Sequence, residues 1–242
     1  MNSQEDTPVK VEILDENYNE YVSLLGTAHF TRRSLLEAQE AVRRLKPTDL
    51  AVELDMARFQ LLNRRCASCP ERELCVGRCE FVGAADALGN VNANIWLIDM
   101  SEIEIVRRIR HLLPPWELWP FSFVGFSSWS SPRDEVWLWE RGYKDKVLER
   151  HHQRLEDLRE RAPHVWQVLI DERNALMAAR LAWIVTQKLA RGEEVKVLSL
   201  TGAAHVKGIQ KLLASALSIR EELRRFGLRF KPPSLIKRVN VN

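Results

Sequence analysis

The chain has 242 residues, of which 45% are hydrophobic and 29% charged, the composition of a globular protein able to bury one full core. A net charge of +3 is too small to imply a nucleic-acid partner, and no apolar run reaches the roughly 18 residues of a membrane span. The polar, acid-bearing start MNSQEDTPVK reads neither as a secretory signal nor as a transit peptide, so a cytoplasmic setting is expected.

Tyr21-Val22-Ser23-Leu24-Leu25 is a short β-prone run that stops at Gly26. Ser34-Leu35-Leu36-Glu37 has the pattern of a capping box and predicts a helix start at Ser34, with Leu35, Ala38, Val42 and Leu45 as its apolar stripe and Pro47 as its stop. Leu50-Ala51-Val52-Glu53-Leu54 is a second apolar run. Strand, helix and strand in that order form a βαβ unit, which predicts parallel pairing with a right-handed crossover.

Residues 99–113 predict a helix with Ile103, Val106, Ile109 and Leu113 on one face. Residues 114–140 hold Pro114, Pro115, Pro120 and Pro132 together with Trp116, Trp119, Trp129, Trp137 and Trp139. They predict a loop-rich excursion whose tryptophans pack against the core, with an apolar pocket or a docking face as the alternative. Helices are expected over 143–161 and 164–190, then a strand from Val195 to Leu200 that breaks at Gly202, then a helical stripe from Ile209, Leu212 and Leu213. The segment from Arg229 to Asn242 adds a short edge strand. The excess of Lys and Arg from Lys207 onward reads as a solvated face. One domain over 1–242 is expected, with a Cys-rich insertion at 62–90 and the Trp/Pro-rich excursion at 114–140.

Two strand ends match: Leu25-Gly26-Thr27-Ala28-His29 and Thr201-Gly202-Ala203-Ala204-His205. Each is a strand, a glycine, two small residues and a histidine. In an open parallel sheet, ligands bind outside the carboxyl ends of the strands, so His29, His205 and Glu53 are expected to meet at one sheet edge. Two imidazoles and a carboxylate form a recurrent first shell for zinc and similar divalent ions, which lower the pKa of bound water toward ~7 and polarise carbonyls. Glu53 has three readings here: a ligand, a general base, or a buried acid paired with Arg58 or Arg173.

Cys66, Cys69, Cys75 and Cys79 all fall in one stretch, CASCPERELCVGRC. Thiolates so close in sequence wrap one centre. A [4Fe–4S] cluster is favoured over zinc, whose structural sites draw two pairs from knuckles further apart. Four uncoordinated thiols are the remaining alternative.

The stretches LLGTAHFTRRSLLEAQEAVRRLKPTDLAVELDMARFQLL and SLTGAAHVKGI resemble the two signature regions of the TraB/PrgY family, relatives of the TIKI and GumN proteins and, more distantly, of ChaN and erythromycin-esterase-like proteins. The family's two Gly-x-x-His motifs and its glutamate in a Val-Glu-Leu strand are matched by Gly26/His29, Gly202/His205 and Glu53. LIDMSEIEIVRRI resembles the family's middle region, and Asp171-Glu172-Arg173-Asn174 its late-helix motif, which makes Arg173 and Asn174 pocket residues, one of them expected to orient the substrate or the developing oxyanion in catalysis. The resemblance implies an α/β fold with a central, mostly parallel sheet flanked by helices. It also implies a metal-dependent hydrolase, a zinc or manganese type of ion at His29, His205 and Glu53, and a small peptide or other acyl substrate. The alternatives are a non-catalytic regulatory or sensor protein, and a redox protein, in which the four-cysteine cluster is the functional centre. The C-terminal membrane helices of longer members have no counterpart here, and the sequence leaves self-association into a homo-oligomer open.

Overall fold

The computed structural model describes residues 12–29, 31–67, 79–89, 93–114 and 133–236. The fold is α/β: strands β1 (Val22–Thr27), β2 (Asp49–Val52), β3 (Asn94–Leu97), β4 (Val197–Gly202) and β5 (Ser234–Ile236) form one sheet in the order β1-β4-β2-β3-β5. Every pairing is parallel except β3 with β5. The expected βαβ unit is present, but β1 and β2 are not neighbours. β4 lies between them, because its six residues, VLSLTG, are all buried and need a strand on either side, while β2 takes the centre of the sheet.

The helices are α1 (Arg32–Leu45), α2 (Met56–Ala67), α3 (Glu80–Ala87), α4 (Glu102–Leu112), α5 (Arg133–Glu140), α6 (Lys144–Arg161), α7 (Pro163–Trp166), α8 (Arg173–Leu189), α9 (Ala203–Leu213) and α10 (Ala216–Arg225), with a π-helical stretch at Gln167–Glu172 before α8. They cover both faces of the sheet. On one face Ala38 and Val42 of α1 and Phe81 and Ala84 of α3 pack with Leu50, Val52, Leu198 and Leu200. On the other, α8, α9 and α10 bury Leu181, Ile184, Ile209, Leu213, Ile219 and Leu223 with Ala51 and Val197. At about 1.5–3 kcal/mol for each large apolar side chain, these two layers hold the sheet. No helix among the described residues is long and apolar enough to cross a membrane.

Several local expectations change. Helix α1 starts before Ser34: Thr31 is its N-cap, in extended backbone, and its hydroxyl accepts from Ser34 N–H. Ser34 is buried within the first turn, where its Oγ receives Ala28 N–H at 3.1 Å and Trp139 Nε1–H at 3.0 Å. Gly26 does not end β1. The strand runs through it, and a Cβ there would stand 2.9 Å from Val206 Cγ2 and 3.1 Å from Ala203 Cα, so its role is to let α9 cross closely. β3 has no counterpart among the predicted strands. In α4 only Ile109 of the expected face is buried, and Ile103 is 81% exposed. The edge strand expected near the C-terminus is β5.

Of the cysteine stretch, Cys66 lies in the last turn of α2 and Cys79 is the buried N-cap residue of α3, while Cys69 and Cys75 lie outside the described residues. So do Trp116, Trp119 and Trp129. The end of the tryptophan-rich excursion is the helix α5, with Trp139 buried and Trp137 exposed.

Candidate active site

β1, β4 and β2 are adjacent and parallel, so their carboxyl ends share one edge. His29 sits two residues past β1, His205 in the first turn of α9 directly after β4, and Glu53 one residue past β2. The edge brings the three together: His205 Nε2 is 3.5 Å and His29 Nε2 4.0 Å from the same oxygen, Glu53 Oε1. Gly202 lies beneath them. A Cβ there would meet His29 Nε2 at 3.2 Å and Glu53 Oε2 at 3.4 Å, so only glycine leaves the space they occupy.

Each of these side chains is held by a second one. Glu53 is buried, accepts Gly202 N–H on Oε2 at 2.5 Å, and receives Arg173 Nη2 on Oε1. Arg173 in turn donates from Nε and Nη2 to the two oxygens of Asp99, at 2.9 and 2.7 Å, and from Nη1 to Leu169 O. Asp99 follows β3 and also receives Arg58 Nη2 at 2.6 Å. His205 Nδ1 donates to Asn174 Oδ1 at 2.8 Å. Asn174 reaches it because residue 208 is glycine: a Cβ at that position would be 2.3 Å from Asn174 Nδ2. Arg173 and Asn174 stand where the π-helical stretch gives way to α8, and such an irregular turn re-aims the residues that follow it. Glu172, the residue before them, faces away and forms a two-bond pair with Arg108.

His29 has a partner that the sequence reading does not include. Its Nδ1 donates to Glu80 Oε1 at 2.6 Å, and the Thr27 hydroxyl donates to the same oxygen at 3.0 Å. The ring of Phe81 lies 5.6 Å from the imidazole, centroid to centroid. Glu80 follows Cys79 and opens with small and apolar neighbours (EFVGAADA), so its only sequence signal is an acid among residues bound for a core. Asp99 and Arg58 were equally unassigned to the ion site, although Arg58 was a candidate partner for Glu53.

Charge and burial set the protonation of this cluster. Burial depresses the His205 imidazole to about 4, against the attraction of Glu53, so His205 is neutral at pH 7. Burial opposes charge on His29 as well, but the hydrogen bond to Glu80 and the charge of Glu53 outweigh it, and its pKa is raised. The Glu53 carboxyl lies below the ordinary value despite its burial, through the charges around it. With His205 neutral, the permanent charge of Arg173 carries that effect near pH 7. Asp99 is held well below the usual carboxylate range by Arg173 and Arg58, again against burial.

Donor set and charge test whether a divalent ion suits these residues. Each imidazole gives its Nδ1–H to a buried oxygen, Glu80 or Asn174, which turns Nε2 toward Glu53; metal-ligating histidines are commonly anchored this way. The carboxylates of Glu53, Asp55 and Asp99 are met by the guanidiniums of Arg58 and Arg173 and that of Glu80 by His29, while Arg180 donates to the main-chain oxygens of Ile98, Asp99 and Lys231. Glu53 already receives a donor on each oxygen, and among the described residues no three His, Cys, Asp or Glu side chains are arranged to hold an ion. The donor set thus suits two imidazole ligands with Glu53 alongside better than a closed three-residue shell. No protein-family model and no curated protein sequence matches the chain.

Proposed function

We propose that the protein is a hydrolase of peptide or other acyl substrates, of the TraB/PrgY kind, working in the cytoplasm with a divalent ion of the zinc or manganese type at His29 and His205. The observation that carries this reading is the pair of imidazoles whose Nδ1 atoms are tied down and whose Nε2 atoms face one carboxylate oxygen at 3.5 and 4.0 Å. A bound ion of this class supplies water of lowered pKa and a Lewis acid for a carbonyl. Glu53 keeps its negative charge at the edge where such an ion and the attacking water's proton would be accommodated. Arg173 holds Glu53 and Asp99, and Asn174 holds His205, so in this reading both position the site's side chains, beside the substrate or oxyanion that one of them would orient.

The cysteines enter the same reading as a separate centre, a [4Fe–4S] cluster on Cys66, Cys69, Cys75 and Cys79. Support comes from their C-x2-C-x5-C-x3-C spacing and from soft thiolate donors crowded in one stretch.

The test uses the full chain purified anaerobically. Chelator-treated protein is titrated with Zn²⁺ and with Mn²⁺ by calorimetry and assayed on a quenched-fluorescent peptide library. Wild type binds one ion and hydrolyses peptides, and His29→Ala or His205→Ala removes both properties while the cysteine-bound iron, about four per chain, is retained. Ion binding and hydrolysis that survive both substitutions would sink the reading.

A further inference from the structure

We infer that Glu80 is a positioning residue for His29: it fixes the imidazole with a hydrogen on Nδ1 and so turns Nε2 toward the Glu53 edge. This rests on the reading of His29 as a ligand or proton carrier in that site, and it adds a residue that neither the sequence motifs nor the family resemblance includes.

His29 needs such a partner because its own backbone does not hold it. It lies in a turn between β1 and α1, and its ring is 38% exposed, so an unanchored imidazole there would rotate and exchange tautomers. Glu80, by contrast, is fully buried and rigidly placed. It is the first residue of α3, where the helix dipole favours a carboxylate. α3 is clamped on α1: a Cβ at Gly83 would be 2.8 Å from Leu35 Cγ, and Phe81 and Ala84 are buried in the same layer. The Thr27 hydroxyl, from the last residue of β1, donates to Glu80 Oε1 as well, so that oxygen is fixed by the sheet and by the helix together. A carboxylate oxygen only accepts, so at 2.6 Å the hydrogen of this contact belongs to His29 Nδ1. Nδ1 is then the donor, and Nε2 is the nitrogen that faces Glu53. Asn174 does the same for His205, with an amide oxygen in place of the carboxylate.

The experiment reads the tautomer directly. Two-bond ¹H–¹⁵N correlation spectra of chelator-treated, ¹⁵N-His-labelled protein are recorded in mildly alkaline buffer for wild type, Glu80→Gln and Glu80→Ala, followed by zinc titration of each. Wild type carries its hydrogen on Nδ1 of His29. Glu80→Gln, whose amide oxygen still accepts, keeps that tautomer. Glu80→Ala shifts His29 toward the Nε2–H form and weakens zinc binding by about 10–100-fold. A wild-type spectrum with the hydrogen on Nε2 overturns the inference whatever the variants do. So does a folded Glu80→Ala protein with unchanged tautomer and zinc affinity. A wild type that shows the Nδ1–H tautomer but binds no zinc upholds the Glu80 assignment and refutes the ion reading, so the two fail separately.

Discussion

β2 has a buried acid at each end, and the two are treated very differently. At its start, both oxygens of Asp49 are filled at ordinary hydrogen-bond lengths: Trp96 Nε1 at 2.8 Å and Asn94 Nδ2 at 3.1 Å on one, Thr48 Oγ1 at 2.7 Å and Lys188 Nζ at 2.8 Å on the other. Past its end, Glu53 is held by Arg173 and Gly202 N–H but also faces two imidazole nitrogens at 3.5 and 4.0 Å, too far for a hydrogen bond. One helix serves both ends. α8 begins with Arg173 and Asn174 at the carboxyl edge and finishes with Lys188 at the amino edge. A saturated network stabilises a fold. The facing nitrogen and oxygen atoms at the carboxyl end, held apart, are what the proposed ion site draws on.

If that contrast is right, the amino end carries stability and the carboxyl end carries ligand affinity. The largest effect expected is from Lys188→Met, which leaves Asp49 a buried charge without its cation and lowers unfolding stability by about 3–5 kcal/mol. Urea denaturation measures the loss, and zinc titration of the folded protein shows no change. A drop in zinc affinity would blur the two ends into one network.

Next in size is a pH effect confined to the carboxyl end. Buried His205, with a folded value of about 4, binds its proton less readily than in the unfolded chain, where the ordinary value is 6.5. The unfolded state therefore holds more protons between those values, and stability is present above about pH 6.5 and falls as pH drops toward 4, by on the order of 3 kcal/mol. His29 acts with the opposite sign at higher pH: its raised value gives stability that is complete below 6.5 and lost as pH rises through the folded value. Urea midpoints of chelator-treated protein at pH 7 and 4.5, for wild type and His205→Asn, check the first slope, which the substitution flattens.

Gly208→Ala comes third. Its Cβ would stand 2.3 Å from Asn174 Nδ2, so α8 and α9 must part or Asn174 must leave His205. Overpacking of this kind costs about 1–3 kcal/mol, and zinc affinity falls with it, unlike the outcome at Lys188. Thermal melts paired with calorimetry separate the two losses. The smallest effect belongs to Ile103→Ser on α4, within about 0.5 kcal/mol, because that side chain is already in solvent.

Much of this arrangement was legible in sequence order. The Gly-x-x-His repeat marked two strand ends, and the acid in Ala-Val-Glu-Leu marked a third, because a glutamate in an apolar run signals a buried charge with a purpose. Arg173 and Asn174 came from the family resemblance, and the structure sets them against Glu53 and His205. Other features left no such trace. β3 is no shorter than β2, but its apolar run Ile95-Trp96-Leu97-Ile98 leads into the helix that follows, with no turn residue beyond Asp99 and Ser101 to set it apart. The apolar side chains of α4 suggested a buried face, yet its periodicity does not say which helix packs where. Glu80 lies 51 positions from His29, and no local pattern joins them.

The amino-acid sequence by itself determined the parallel α/β class, the strand ends that form the candidate site and the residue types placed there, since strand periodicity, glycines and a buried acid are all local signals. Only the tertiary structure decided that β4 enters between β1 and β2 and sets both histidines beside Glu53. It also decided that Glu80 anchors one imidazole and Asn174 the other. Those outcomes depend on which strands pair and how closely helices cross them, and contacts between residues far apart along the chain are fixed by packing, not by spacing.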